Sequence, residues 1–301
     1  RICQADLLYA ELFQLGKGLL DQAAAPDGEL TGQGQASRPV LFVRRIGDVG
    51  HAHPGDQDCL VRILQIVGAG SGAVDLITVR GAKLLSEADV VIYAGSLVNP
   101  EHLNRCKADC EIHDSAKLTL EEVIEIIKAA EAQGKTTVRL HTGDSSIYGA
   151  VREQFDELDK LGIEYAVCPG VSSFCGAAAA LKAEYTLPDV SQTVIITRME
   201  GRTPVPEKEK IRLLAAHQST MVLFLSTGLL EGLQAELMAG GYAPETPAAI
   251  VYKATWPDEK QFRCRLCDLA KTAKENNITK TALIVVGGFL GDKYERSKLY
   301  D

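Results

Sequence analysis

Leu64-Gln-Ile-Val-Gly-Ala-Gly-Ser-Gly72 runs from a mostly apolar stretch into three glycines spaced by single residues, and a helical pattern follows over Thr78 to Ala88. That succession reads as a buried strand, a tight turn and a helix. Glycine takes φ > 0 and lets a ligand come close to the backbone. Such a turn first suggests a dinucleotide fingerprint, with a pyrophosphate on the helix N-terminus. The details argue against it. The spacing is G-x-G-x-G, one residue short of G-x-G-x-x-G. The ribose-binding acid of that motif belongs at the far end of the second strand. Here Asp89 precedes the strand Val90-Val-Ile-Tyr-Ala94, whose far end carries Gly95 and Ser96. No Gly-Lys-Ser/Thr follows the glycines, so a phosphate loop is excluded too.

From Val61 onward strands and helices alternate. Thr78 is the expected N-cap of the first helix, with Val79, Ala82 and Leu85 on its buried face. Leu120 to Ala132 follows as a helix with Val123, Ile124 and Ile127 inward and Gly134 past its end. Thr137-Val-Arg-Leu-His141 is a strand running into Thr142-Gly-Asp144. Ser145 or Ser146 is expected to cap a helix carrying Val151, Phe155 and Leu158, ended by Gly162. Tyr165 to Cys168 closes this half as a parallel sheet with helices on its faces. Pro169-Gly-Val-Ser-Ser173 and the alanine-rich Ala177 to Leu181 read as a connector. A second α/β half has strands over Thr193–Thr197, Thr220–Leu225, Ala248–Tyr252 and Ala282–Val286, with helices over Leu229–Met238 and Leu266–Lys274. The expected organisation is an extension over 1–60, α/β domains over 61–168 and 188–291 joined by 169–187, and a tail over 292–301.

The chain of 301 residues is 46% hydrophobic and 24% charged with a net charge of −8, which argues against a broad basic nucleic-acid surface. No apolar run approaches the ~20 residues of a membrane span. The dispersed cysteines and the absence of a charged-then-apolar start point to a reduced cytoplasmic protein. Cys264-x-x-Cys267 has half of a zinc spacing and reads as ordinary thiols. In the first 60 residues a helix over Ala5–Ala25, a linker from Pro26 to Ser37 and a strand over Pro39–Val43 are expected. His51-x-His53 lacks a third ligand nearby, so no metal site is expected.

Longer segments carry more information than the glycines. Val67-Gly-Ala-Gly-Ser-Gly72, Tyr93-Ala-Gly-Ser-Leu-Val98, His141-Thr-Gly-Asp144 with Tyr148-Gly-Ala150, and Pro169-Gly-Val-Ser-Ser173 stand in order along the chain. Thr197-Arg-Met-Glu-Gly-Arg-Thr-Pro-Val-Pro-Glu207 and Val251-Tyr-Lys-Ala-Thr-Trp-Pro-Asp-Glu259 follow. Together, from Arg62 to Gly291, they resemble the tetrapyrrole (corrin and porphyrin) methyltransferases. The last two resemble the branch that methylates C11 of a precorrin in cobalamin synthesis.

The resemblance implies two α/β domains with S-adenosylmethionine in the cleft between them, a precorrin substrate and a homodimer. Residue by residue, it implies a cofactor pocket of Gly72, Thr142, Gly143, Asp144, Ile147, Ser172, Ser173, Leu225 and Ala254. Asp144 would accept cofactor hydrogen bonds or oppose its positive charge. Ile147 and Leu225 would wall the adenosine. Arg198, Arg202 and Lys253 are the candidates for the substrate carboxylates. His141 is expected to make a structural hydrogen bond, and no catalytic base is assigned. The reaction would be an SN2 displacement by an electron-rich ring carbon, in which alignment and water exclusion suffice. Cobalt would arrive inside the substrate.

Two departures stand out. Ser71, Ala73 and Val74 occupy positions where the family usually has Pro, Asp and Pro, and Ser145 replaces the Pro that usually follows Asp144. The loop therefore lacks the prolines' rigidity and one charge. Three rival readings remain: methylation of uroporphyrinogen or of another precorrin carbon, a nicotinamide-binding oxidoreductase, and a cofactor-binding protein without turnover.

Overall fold

The computed structural model describes residues 63–300. The expectations for the first 60 residues, including His51-x-His53, lie outside them. β1 (Leu64–Gly68) is buried at every position. With β2 (Val90–Tyr93), β3 (Glu111–Asp114), β4 (Thr137–His141) and β5 (Tyr165–Cys168) it forms a sheet of order β3-β2-β4-β1-β5. Every pairing in it is parallel.

Alternate residues of these strands feed two apolar layers, as a sheet covered on both faces requires. Val67, Val91, Val138 and Leu140 pack with Leu85 of α1 (Val79–Glu87). Leu64, Ile66, Val90 and Ile92 pack with α2 (Leu120–Ala132) and with Leu158 of α3 (Arg152–Leu161). Thr78 caps α1 by accepting from the Gly81 amide at 3.0 Å. Thr119 and Glu122 cap α2 reciprocally, an arrangement of the capping-box type. Gly162 ends α3 with φ 67°.

The strand order has a point of divergence. From the adjacent strands β1 and β4, the chain departs in opposite directions along the sheet, through α1 to β2 and through α3 to β5. Open α/β sheets bind ligands beyond the carboxyl ends of strands at such a divergence. The two turns that leave these strands are the glycine turn and Thr142-Gly-Asp144.

The second sheet is β6 (Val194–Arg198), β7 (Thr220–Phe224), β8 (Pro247–Tyr252), β9 (Lys260–Arg265) and β10 (Ala282–Val286), in the order β6-β7-β10-β8-β9. Only β6 and β7 run parallel; the other pairs are antiparallel. One face is covered by α5 (Ile211–Ala215), α6 (Leu230–Ala239) and α7 (Leu269–Glu275). The other is covered by α4 (Ser173–Leu181), whose Ala177 and Leu181 pack on Val222, Ala249, Val251 and Val285.

Several expectations need correction. The residues read as a connector contain α4. Neither Ser145 nor Ser146 caps α3, which starts at Arg152 without a side-chain cap. Val79 is 90% exposed rather than inward. The helix read from Leu266 divides into a 3-10 turn over Leu266–Asp268 and α7. The edge strands β3 and β9 were not expected.

Candidate active site

Three glycines close the C-terminal ends of β1, β4 and β5. A Cβ on Gly68 would lie 2.6 Å from the Gly143 carbonyl oxygen, and one on Gly170 would lie 2.1 Å from that same oxygen. No side chain fits there, so the three turns pack backbone to backbone. Gly143 donates to the Gly70 carbonyl at 2.9 Å and accepts from the Gly70 amide at 3.2 Å. The turn that seemed built for a ligand is thus partly built for its neighbour.

Asp144 fastens the third turn. Its Oδ2 accepts from the Gly170 amide at 2.8 Å, and its Oδ1 accepts from the Ser146 amide at 2.9 Å and from the Ser146 hydroxyl. Burial pushes this carboxyl up, but the donors from Ser146 and Gly170 outweigh burial and hold it below its usual range. These bonds explain why Ser146 caps no helix. They also make Asp144 a brace between its own turn and the one that follows β5.

The second half meets these turns through residues far away in sequence. Thr255 Oγ1 lies 3.0 Å from Ser71 Oγ and accepts from the Ala73 amide at 3.1 Å. The Thr255 amide in turn donates to Glu259 at 2.6 Å. Trp256 lies against Gly72, where an added Cβ would stand 2.1 Å from the indole. Asn99, itself buried, donates to the Gly72 carbonyl at 2.9 Å. Ser71 therefore spans to the second half through its hydroxyl, a bond that a proline could not make. The two halves also meet where Tyr148 packs on Phe224 with ring centroids 5.4 Å apart.

Five of the ten non-glycine residues with positive φ among the described residues stand at or next to these contacts. Tyr148, Ala150, Leu225, Lys253 and Thr255 all have positive φ between 45° and 69°. Non-glycine residues in that region cost of order 1–3 kcal/mol each and gather at ligand sites. Leu225 sits just past the end of β7 rather than within it, and it is 69% exposed. Thr142 is exposed and Ile147 half-buried. Ser172 is the N-cap of α4, and its hydroxyl caps no amide of that helix; Ser173 is the first helical residue. Ala254 is buried in the apolar layer under α4.

The three cationic candidates differ. Arg198 donates to the carbonyls of Thr203 and Pro204 at 3.0 and 2.9 Å, which holds the loop after β6 in place. Lys253 is paired with Asp258 at 2.7 Å, with its ammonium 5.3 Å from the Trp256 ring centroid. Arg202 is exposed in the loop and has no partner among the described residues. His141 departs from expectation: its Nε2 is buried without a partner. Burial, then the nearby Arg139, pulls its pKa down to about 3, so the ring is neutral at working pH. Cys264 and Cys267 are free, half-buried thiols.

A model of the tetrapyrrole (corrin/porphyrin) methylases matches residues 64–270. This chain belongs to that family. The methylase is 57% identical over 237 residues to the cobalt-precorrin-4 C(11)-methyltransferase of Methanocaldococcus jannaschii, covering 78% of this chain and 92% of the relative. It is 44% identical over 236 residues to the precorrin-4 C(11)-methyltransferase of Mycobacterium tuberculosis, covering 78% and 94%. Among solved structures, a cobalamin biosynthetic cobalt precorrin-4 methyltransferase superposes with a TM-score of 0.75 at 46% identity, covering 77% of this chain and 97% of that one.

Tyr148, Thr255, Trp256 and Asn99 were not among the expected site residues of the methylase. The first three lie in the segments that carried the resemblance, but nothing local says that they touch partners across the molecule. Trp256 is the single tryptophan of the chain, which makes its contact with Gly72 measurable. Gly72→Ala forces the indole away and strains a backbone at φ 156°. The expected result is a red-shifted emission maximum and about a tenfold weaker affinity for S-adenosylhomocysteine, or ~1.4 kcal/mol. An unchanged spectrum would refute the contact.

Proposed function

We propose that this methylase transfers the methyl group of S-adenosylmethionine to C11 of a precorrin-4 macrocycle, with or without cobalt, in cobalamin biosynthesis. The likeness to C11-methyltransferases along nearly the whole described chain carries this reading. The fit of the cofactor rests on the site itself. Leu225 exposes most of its side chain on strained backbone just past β7, and an adenosyl group would cover that apolar surface. Ser172 and Ser173 offer hydroxyls at the start of α4. The bound cofactor supplies an activated methyl on a sulfonium that is already a good leaving group.

The protein's share is then alignment and exclusion of water. The glycine turns, Asp144 and the Ser71–Thr255 contact hold the site rigid. Arg202, free in its loop, is the cation best placed to meet a substrate carboxylate. Arg198 shapes that loop, and Lys253, already paired with Asp258, would have to exchange partners. We further propose that the enzyme acts as a homodimer in the reducing cytoplasm, in keeping with the six free thiols of the described residues. Sedimentation of the purified chain tests the dimer.

Calorimetry with S-adenosylhomocysteine and with NAD tests the cofactor class; binding of the first and not the second is expected. Incubation with methyl-labelled cofactor and precorrin-4, its cobalt complex or uroporphyrinogen III should place one label on C11 of a precorrin-4. Label only on another carbon or another macrocycle overturns the reading.

A further inference from the structure

Arg139 sits in the middle of β4, in register with Ile66 of β1 and Ile92 of β2. Its side chain thus enters the apolar layer between the sheet and helices α2 and α3. It is 7% exposed. Its Nε donates to Gln154 Oε1 and its Nη1 to the Ile92 carbonyl, both at 3.1 Å. Both acceptors are neutral. No carboxylate among the described residues pairs with it, and Nη2 has no partner. Burial lowers its pKa to about 10, which still leaves the guanidinium charged at neutral pH. A buried cation without a counter-charge is costly.

The guanidinium lines a cavity of about 320 Å³ that opens to solvent between the starts of α2 and α3. Thr119 brings a hydroxyl to its wall, Ser115 stands there with its hydroxyl donated to the Tyr93 carbonyl at 2.9 Å, and Leu118 and Val123 bring apolar surface. Glu153 stands exposed at its rim. The wall thus has a cationic and polar part and an apolar part, with a carboxylate at the mouth. The rim charge disfavours a dianion such as phosphate. A monoanion with a short alkyl arm meets the cationic and the apolar parts and is repelled less at the mouth.

We propose that this cavity is a binding site for a carboxylate on a short alkyl chain, held by Arg139. Two sources share that chemistry: a free short-chain acid, and a carboxylate side arm of the macrocycle. The site itself stands without the methyl-transfer reading; only the identification of its source leans on it.

Arg139→Met would strand Gln154 Oε1 and the Ile92 carbonyl and threatens the fold. Gln154→Glu instead places an internal carboxylate 3.1 Å or so from the guanidinium, filling the role of the ligand. Sodium propionate is the probe, with saturation-transfer NMR as the readout. Wild-type protein should bind propionate, and Gln154→Glu, which also gives up the bond from Gln154 Nε2 to the Ala150 carbonyl at 2.9 Å, should weaken binding at least tenfold. No binding to wild type, or equal binding to both, overturns the site. If the macrocycle supplies the carboxylate, Gln154→Glu also raises KM for precorrin-4 at unchanged affinity for S-adenosylhomocysteine. If a free acid does, KM stays constant while propionate binding is lost. Failure of S-adenosylhomocysteine to bind wild type would count against the methyl-transfer reading and leave the propionate result standing.

Discussion

Gly170→Ala should cost about 3 kcal/mol or more of folding stability. Overpacking ordinarily costs ~1–3 kcal/mol because flexible side chains yield. Here every close neighbour of the added Cβ is backbone: the Gly143 oxygen at 2.1 Å and Gly68 Cα at 2.7 Å. Relief requires separating the ends of β1, β4 and β5, which are also the floor of the proposed cofactor site. Gly162→Ala is the matched control. It has φ 67° and nothing within 4 Å, so only the left-handed backbone is penalised, at ~1–2 kcal/mol. Urea denaturation of the two variants separates steric from conformational cost. A loss at Gly170 no larger than at Gly162 would refute the three-turn contact. Affinity for S-adenosylhomocysteine should collapse with Gly170→Ala and survive in Gly162→Ala.

Asp144→Ala should cost about 2–3 kcal/mol, because hydrogen bonds to a charged acceptor contribute ~1.5–3 kcal/mol each and water can replace part of them. Asp144→Asn keeps one acceptor oxygen and should cost about half as much. The pH dependence follows from the sign of the shift. The folded-state pKa lies below the ordinary value near ~3.9, so the carboxylate stabilises the fold above that value. That contribution disappears as pH falls through the folded pKa. The difference between wild type and Asp144→Ala should therefore be flat above about pH 5 and shrink below about pH 4. A difference that grows on acidification would contradict the geometry, in which only acceptor bonds are made.

Some of this was legible because the signals were local. The runs Leu64–Val67 and Val90–Ala94 are continuously apolar, as strands covered on both faces must be, and Thr78, Gly134 and Gly162 mark helix ends by their own chemistry. The edge strands were illegible for the converse reason. Glu-Ile-His-Asp over 111–114 and Lys-Gln-Phe-Arg-Cys-Arg over 260–265 carry charge because one side of an edge strand faces water. The start of α3 was misplaced because Ser146, a good cap in isolation, gives its amide and hydroxyl to Asp144 instead.

The order of elements, the glycine turns and the family were therefore in the sequence, since each depends on a few neighbouring residues or on long unbroken segments. The working of the site was not. Ser71 and Thr255 lie 184 positions apart, and the charge left unneutralised on Arg139 depends on what the sheet places around it. Which glycine meets a ligand and which meets another backbone is a property of three turns at once. Only the folded chain brings those turns within contact distance.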